Sequence, residues 1–307
     1  MQKLLIFGGF GFVGKNLLIN LNEYYDITVL SRHTVSDDAG LFNKIKYIRF
    51  DLLKGSDIEL MQIIQDIQPR YIINLISIVT ADRDLGLYRS MIESNVHSLS
   101  RIFNASKDLR SLKFVLHFGS GEEYGNIAIP FREDQREYPN SPYSLTKQMA
   151  TNTAIMLNRN YGYPVSVVRP SNVFGKFQND NKFIPYVVRK LLKNEPISTT
   201  LCLQKRDFID ANTLSEFVRL LIEHNDKCVG EIVNVSSGLS VSLKEIILFC
   251  KEYCKSTSII KFGEIPYREN EIMNFVLDNN KMKNILDINV DYDLFAKLSD
   301  YIELLRG

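Results

Sequence analysis

Lys3-Leu4-Leu5-Ile6-Phe7-Gly8-Gly9-Phe10-Gly11-Phe12-Val13-Gly14 is an apolar run that stops abruptly in glycine. Gly8, Gly11 and Gly14 have the spacing G-x-x-G-x-x-G. They follow a strand pattern, Lys3–Phe7, and open a helix pattern, Val13–Asn22. A glycine turn in that setting lets backbone N–H groups approach a pyrophosphate at a helix N-terminus, where the helix dipole favours anions. Phe12 and Val13 would share that approach as the first helical residues. Glycine spacing alone describes any tight turn; strand before and helix after is what a dinucleotide site demands. The run is not a secretory leader pattern, because glycines interrupt it and no small-residue cleavage pattern follows.

Outward from this turn the pattern repeats. Strand-like runs at Ile27–Leu30, Ile45–Phe50, Tyr71–Leu75, Lys113–Phe118 and Val165–Arg169 alternate with helical ones at Asp57–Asp66, Met91–Lys107 and Tyr143–Tyr161. Near-continuous apolar strands separated by helices predict an α/β fold, a doubly wound parallel sheet of Rossmann-like type. After Pro170 the regularity fades. A helix near Ile184–Lys193, a strand near Glu231–Val235 and a terminal helix near Leu294–Leu305 predict a smaller C-terminal α/β region for substrate. The expected division is 1–170, joined by about 205–230, for the dinucleotide, with 171–204 and 231–307 binding the substrate.

Composition narrows the function. The 307 residues carry 37 Lys+Arg against 36 Asp+Glu, a formal charge of +1. No cationic excess draws a phosphate backbone, so a nucleic-acid partner is not expected. With 45% hydrophobic and 24% charged residues the chain is neither disordered nor membrane-like. No stretch reaches the roughly 18 apolar residues of a bilayer span, so a cytoplasmic protein without membrane insertion is expected. Cys202, Cys228, Cys250 and Cys254 are too few for a disulfide framework. Cys250 and Cys254 stand one helical turn apart in an amphipathic pattern without a nearby His; they read as packed thiols, and no metal is expected.

At the end of the second strand an acidic residue would accept hydrogen bonds from the adenosine ribose and favour NAD. This chain has Ser31-Arg32 there. A hydroxyl followed by a guanidinium suits a 2′-phosphate, so NADP is favoured, with NAD the alternative. Asp51-Leu52 after the third strand is placed to contact adenine, or to cap the following loop.

Tyr143-Ser144-Leu145-Thr146-Lys147 sets a phenol and an ammonium four residues apart on one helical face. A lysine beside a tyrosine favours the phenolate, so the phenol pKa is expected to fall from about 10. The fifth strand runs into Phe118-Gly119-Ser120-Gly121-Glu122-Glu123-Tyr124-Gly125, placing Ser120 at the carboxyl end of the sheet, where open α/β folds carry their chemistry.

The glycine turn, Ser120 with Tyr124-Gly125, Tyr143/Lys147 and Arg169-Pro170-Ser171-Asn172-Val173, in that order, resemble the extended short-chain dehydrogenase/reductase family. More narrowly they resemble its nucleotide-sugar epimerases, dehydratases and reductases. The resemblance implies a catalytic triad of Ser120, Tyr143 and Lys147, with Tyr143 as general acid/base and Lys147 also holding the nicotinamide ribose. It implies that Asn95 is the family's structural asparagine and that Leu75-Ile76-Ser77 lies by the cofactor phosphates and ribose, with Pro170 and Val173 also near the cofactor. Lys205-Arg206-Asp207-Phe208 and Pro266-Tyr267-Arg268-Glu269 are similar to segments whose arginines grip a sugar-nucleotide diphosphate. Asn172 and Asn181-Lys182-Phe183 are similar to further substrate contacts. Glu122 occupies the position of a dehydratase acid, but Gly121 stands where dehydratases often carry a second one.

The C-terminal half resembles the bacterial CDP-abequose and CDP-paratose synthases, NADPH-dependent 4-ketoreductases. Shared residues include Gln204-Lys205-Arg206-Asp207-Phe208 and Arg268-Glu269-Asn270-Glu271-Ile272-Met273. The resemblance therefore implies hydride transfer at C4 of a nucleotide-linked sugar in surface-polysaccharide synthesis by a homo-oligomer. Epimerisation, 4,6-dehydration and a non-catalytic dinucleotide-binding regulator are the alternatives.

Overall fold

Leu4 and Ile6 point to one face of the first strand and Leu5 and Phe7 to the other, and all four are fully buried. A strand covered on both faces belongs inside a helix-flanked parallel sheet. The computed structural model, which describes residues 1–33, 40, 42–43, 45–80 and 82–307, has that sheet. Its strands are β1 (Gln2–Phe7), β2 (Tyr25–Ser31), β3 (Lys46–Arg49), β4 (Tyr71–Asn74), β5 (Phe114–Phe118), β6 (Val165–Pro170) and Ile232–Val235. All seven run parallel in the order β3-β2-β1-β4-β5-β6-(Ile232–Val235). The order reverses between β1 and β4, which opens a crevice at their carboxyl ends.

Helix α1 (Phe12–Leu21) lays Leu17, Leu18 and Leu21 on the Leu4/Ile6 face, and α2 (Asp57–Ile67) lays Leu60 and Ile64 on the opposite one. The Pro142–Tyr161 helix packs Ala154 and Leu157 on the α2 side. Its start is set by Ser141, whose side chain accepts from the Ser144 N–H, with Pro142 at the first helical position; it stops at Gly162, whose φ is 63°.

Two expectations change. The predicted helix over Met91–Lys107 is three pieces, Tyr88–Met91, a π-helical turn at Ile92–His97 and Ser98–Ser106. The widened turn holds Asn95, whose two side-chain hydrogen bonds are described below. The strand near Glu231–Val235, expected in the smaller region, instead pairs with β6 and extends the main sheet.

The smaller region rests on short pairings: Asn172–Phe174 with Phe208–Asp210, Ile197–Thr199 with Ile260–Phe262, and Lys205–Arg206 between Val241–Ser242 and Asn274–Phe275. Ile246 and Ile247 of Leu243–Cys254, and Leu298 and Ile302 of Leu294–Arg306, belong to the same apolar core as Leu4 and Leu17. Cys250 is buried and Cys254 half-buried, both as free thiols. No helix among the described residues is long and apolar enough to cross a membrane.

Candidate active site

The glycine turn fits a dinucleotide by geometry as well as by spacing. Gly8 has φ +76°, a conformation that side chains resist, and a Cβ on Gly14 would stand 2.4 Å from the Gly9 carbonyl oxygen. Gly11 is different: a Cβ there meets only the Gly8 carbonyl oxygen at 3.6 Å. The turn's backbone shape therefore requires Gly8 and Gly14, whereas Gly11 leaves open the approach to the N-terminus of α1. That terminus has neither a side-chain cap nor an acidic residue in its first turn, so the amides of Phe12 and Val13 and the helix dipole suit an anion.

Leu75 continues from β4 by bonding its N–H to the Phe7 carbonyl, and the Leu75–Ile76 backbone lines the turn at Gly8. Ser77 Oγ donates to the Ile78 carbonyl at 3.4 Å. Asn95 is fully buried, with Oδ1 accepting from the Ile78 N–H at 3.0 Å and Nδ2 donating to Thr146 Oγ1 at 2.9 Å. It ties the loop after β4 to the Pro142–Tyr161 helix, which is structural work. Ser31 ends β2 opposite Arg49 of β3, and Arg32 is exposed beside it. Asp51 caps a turn, its Oδ1 accepting from the Leu53 N–H at 2.9 Å; Leu52 is core.

Ser120 and Tyr143 meet at the carboxyl end of β5. The Ser120 hydroxyl accepts from the Glu122 N–H at 3.1 Å and neighbours the Tyr143 phenol. Lys147, one turn further along the helix, is 2% exposed, and its Nζ donates to the Phe118 carbonyl at 2.6 Å. The phenol pKa is raised, not lowered as the Tyr143/Lys147 spacing predicts. Burial raises Tyr143, and the Glu122 carboxylate raises it further, while Lys147 is turned to the Phe118 carbonyl. Burial in turn lowers Lys147 to about 8, against the opposing pull of Glu123. His117 is fully buried beside them, its Nδ1 3.1 Å from Asn74 Nδ2; burial and then Lys147 push it down to about 3, so it is neutral.

Glu122 opens onto the cleft, with protein packed around it. The surrounding protein raises its carboxyl, against Lys182, Arg206, Arg268 and Arg83. Four cations thus converge where sequence pointed to three. Arg83, on the loop after β4, was missed because it carries no motif; it reaches across the cleft to the backbone carbonyls of Glu269 at 2.6 Å and Asn270 at 3.3 Å. Arg83, Lys182, Phe183, Arg268 and Glu269 line a cavity of about 800 Å³.

Arg206 is held by Glu271 and lies on the short Lys205–Arg206 strand. Its neighbour Asp207 is fully buried and accepts from Ser237 Oγ at 2.6 Å and from the N–H groups of Ser237, Gly238 and Leu277. Those bonds lock the strand that carries the arginine. Asn172 donates from its N–H and from Nδ2 to the Asp207 carbonyl, and Phe183 stacks on Phe208 at 6.3 Å. Pro170 ends β6, and Val173 packs half-buried against the core.

A glycine turn at the switch point of a parallel sheet, with a serine, tyrosine and lysine at the next strand's end, defines an enzyme of the extended short-chain dehydrogenase/reductase class. A model of the NAD dependent epimerase/dehydratase family matches residues 4–236, and the chain belongs to that family. The CDP-abequose synthase of Salmonella muenchen is 27% identical over 288 residues, covering 89% of this chain and 87% of that protein. Among solved structures, a UDP-glucose 4-epimerase from Thermotoga maritima with UDP-glucose superposes with a TM-score of 0.90 at 19% identity, covering 99% of each chain. The dTDP-glucose 4,6-dehydratase of Bacillus anthracis in complex with NAD superposes at 0.86 with 20% identity, covering 100% of this chain and 97% of the other. At such identities the structures speak for the fold alone.

Proposed function

We propose that this protein exchanges a hydride between a nicotinamide cofactor, NADP in preference to NAD, and C4 of a nucleotide-linked sugar, acting as a 4-ketoreductase or 4-dehydrogenase. The observation that carries the reading is the Ser120–Tyr143 pair, set at the mouth of a cleft where Arg83, Lys182, Arg206 and Arg268 converge. A diphosphate suits that charge, and guanidiniums suit its paired oxygens. When bound, the nicotinamide supplies or accepts the hydride. In reduction the chain's part is to polarise the ketone oxygen through Ser120 and to deliver a proton to it from Tyr143. A phenol whose pKa is raised is fully protonated at neutral pH, which fits a donor.

The glycine turn and α1 hold the pyrophosphate in this reading, with Ser31 and Arg32 at the adenosine end and Lys147 at the nicotinamide ribose. Asn172, Lys182, Phe183, Arg206 and Arg268 hold the sugar nucleotide. Residues 1–170 with 205–230 and the Ile232–Val235 strand serve the cofactor and the rest the substrate, in a cytoplasmic homo-oligomer.

Elimination of water is the second reading, favoured by the Glu122 carboxyl, whose raised pKa would let it act as an acid. Against it, a side chain at Gly121 would stand 2.8 Å from the Phe275 ring and 3.1 Å from Leu277, so a partner acid would have to displace them. The test is incubation of purified protein with NADPH or NADH and a panel of nucleotide 4-ketosugars, and in parallel with NADP or NAD and nucleotide hexoses that keep the C4 hydroxyl. One reduced cofactor consumed, or formed in the parallel arm, per sugar converted supports the proposal. Conversion without net cofactor turnover would replace it by epimerisation or dehydration, and Tyr143→Phe turning over like wild type would remove Tyr143 from the chemistry.

A further inference from the structure

Glu123 is a buried carboxylate that the proposed chemistry does not use. It is fully enclosed, and every group around it donates. Its Oε1 accepts from the Ser120 N–H at 2.7 Å. Its Oε2 accepts from Thr151 Oγ1 at 2.8 Å and from Arg169 Nε at 2.9 Å, with Arg169 Nη2 2.7 Å away as an ion pair. Arg169 is itself fully buried, lies 4.6 Å over the Tyr124 ring and reaches Glu137 Oε1 at 2.5 Å.

The three donors come from three elements: the end of β5, the helix of Tyr143 and Lys147, and β6. Thr151 stands one turn beyond Lys147, which stands one turn beyond Tyr143, so all three share one side of that helix. One carboxylate therefore links the backbone of Ser120 to the helix that carries Tyr143. The strand makes room for it: a Cβ on Gly119 would stand 2.5 Å from Glu123 Oε1.

We infer that Glu123 is a positioning residue, whose carboxylate fixes Ser120 relative to Tyr143 by bridging the end of β5, Thr151 and Arg169. The inference rests on the reading of Ser120 and Tyr143 as the reacting pair. A buried ion pair is a poor way to gain stability, since apolar residues of similar volume often serve as well. Its use here is registry between two elements that carry the chemistry.

Glu123→Gln tests it, because an amide offers one accepting atom where two are needed. Either the Ser120 N–H or the Arg169 guanidinium then faces an NH2 group. The expected result is a fall in kcat of about 100-fold, the scale of a small misplacement of a reacting group, with KM for the sugar nucleotide and Kd for the dinucleotide unchanged. Glu123→Leu/Arg169→Met/Glu137→Gln removes the three charges of the cluster together. It should recover the Tm of the wild type and leave kcat low.

Wild-type kcat in either variant overturns the inference, as does a crystal structure of Glu123→Gln with Ser120 and Tyr143 undisplaced. The crystal structure needs no substrate. A wild type inactive on every sugar would thus refute the proposed function while still deciding this point.

Discussion

Lys147 donates its ammonium proton to the carbonyl oxygen of Phe118, not to the phenol of Tyr143 one turn before it on the same helix. The lysine is thereby tethered to the end of β5, beneath Ser120. Enclosed there, it gives up its proton near pH 8 when folded, against an ordinary value of 10.5. Between those values the unfolded chain binds more protons, so this group makes folding stability rise with pH across that window and contributes no pH dependence well below it. Urea unfolding of wild type and Lys147→Met at pH 8 and pH 10 checks the sign. The wild type should gain on the variant, and a pH-independent difference would contradict it.

Gly11→Ala and Gly14→Ala should separate cofactor binding from folding. At Gly14 the new methyl meets the Gly9 carbonyl oxygen at 2.4 Å, so a loss of about 1–3 kcal/mol is expected together with lost dinucleotide affinity. At Gly11 the nearest atom is 3.6 Å away, so stability should hold while dinucleotide affinity drops. Denaturant midpoints and fluorescence titration with NADPH read the two effects independently.

Arg206→Lys keeps the charge near Glu271 and gives up the planar fork. Loss of one charged hydrogen bond corresponds to about ten- to a hundredfold in KM for the sugar nucleotide, with kcat nearly retained. Steady-state kinetics on the sugar that proves active decides it, and an unchanged KM would take Arg206 out of the diphosphate site.

Arg32→Ala should weaken NADPH and leave NADH alone. The exposed guanidinium follows Ser31, and Arg49 stands opposite Ser31 in the neighbouring strand. Equal weakening of both cofactors would mean that Arg32 does not distinguish the 2′-phosphate.

What could be read from the sequence was what is local. The glycine turn, the strands around it and the Tyr143/Lys147 spacing depend on residues close in the chain, and their elements lie where expected. Non-local events escaped. Ile232–Val235 joins the main sheet through pairing with β6, which no property of its own residues announces. The π-helical turn at Asn95 accompanies hydrogen bonds to Ile78 and Thr146, one behind it in the chain and one far ahead. Lys147 was expected to act on the nearest phenol, but burial outweighed charge and the Phe118 carbonyl accepts the lysine's hydrogen bond. Arg83 belongs to no motif and is visible only when the loop after β4 meets Glu269 and Asn270.

The close approach of Phe275 to Gly121 bears on how such an enzyme could change its chemistry over generations. A single mutation that placed a second acid at position 121 would collide with the ring before it could serve. A side chain at position 121 would come with a shift of that ring or a smaller residue at position 275, on a strand that also flanks Arg206. The ring couples positions 121 and 275, so the order of substitutions, as much as their identity, bears on which side chains this corner of the site can acquire.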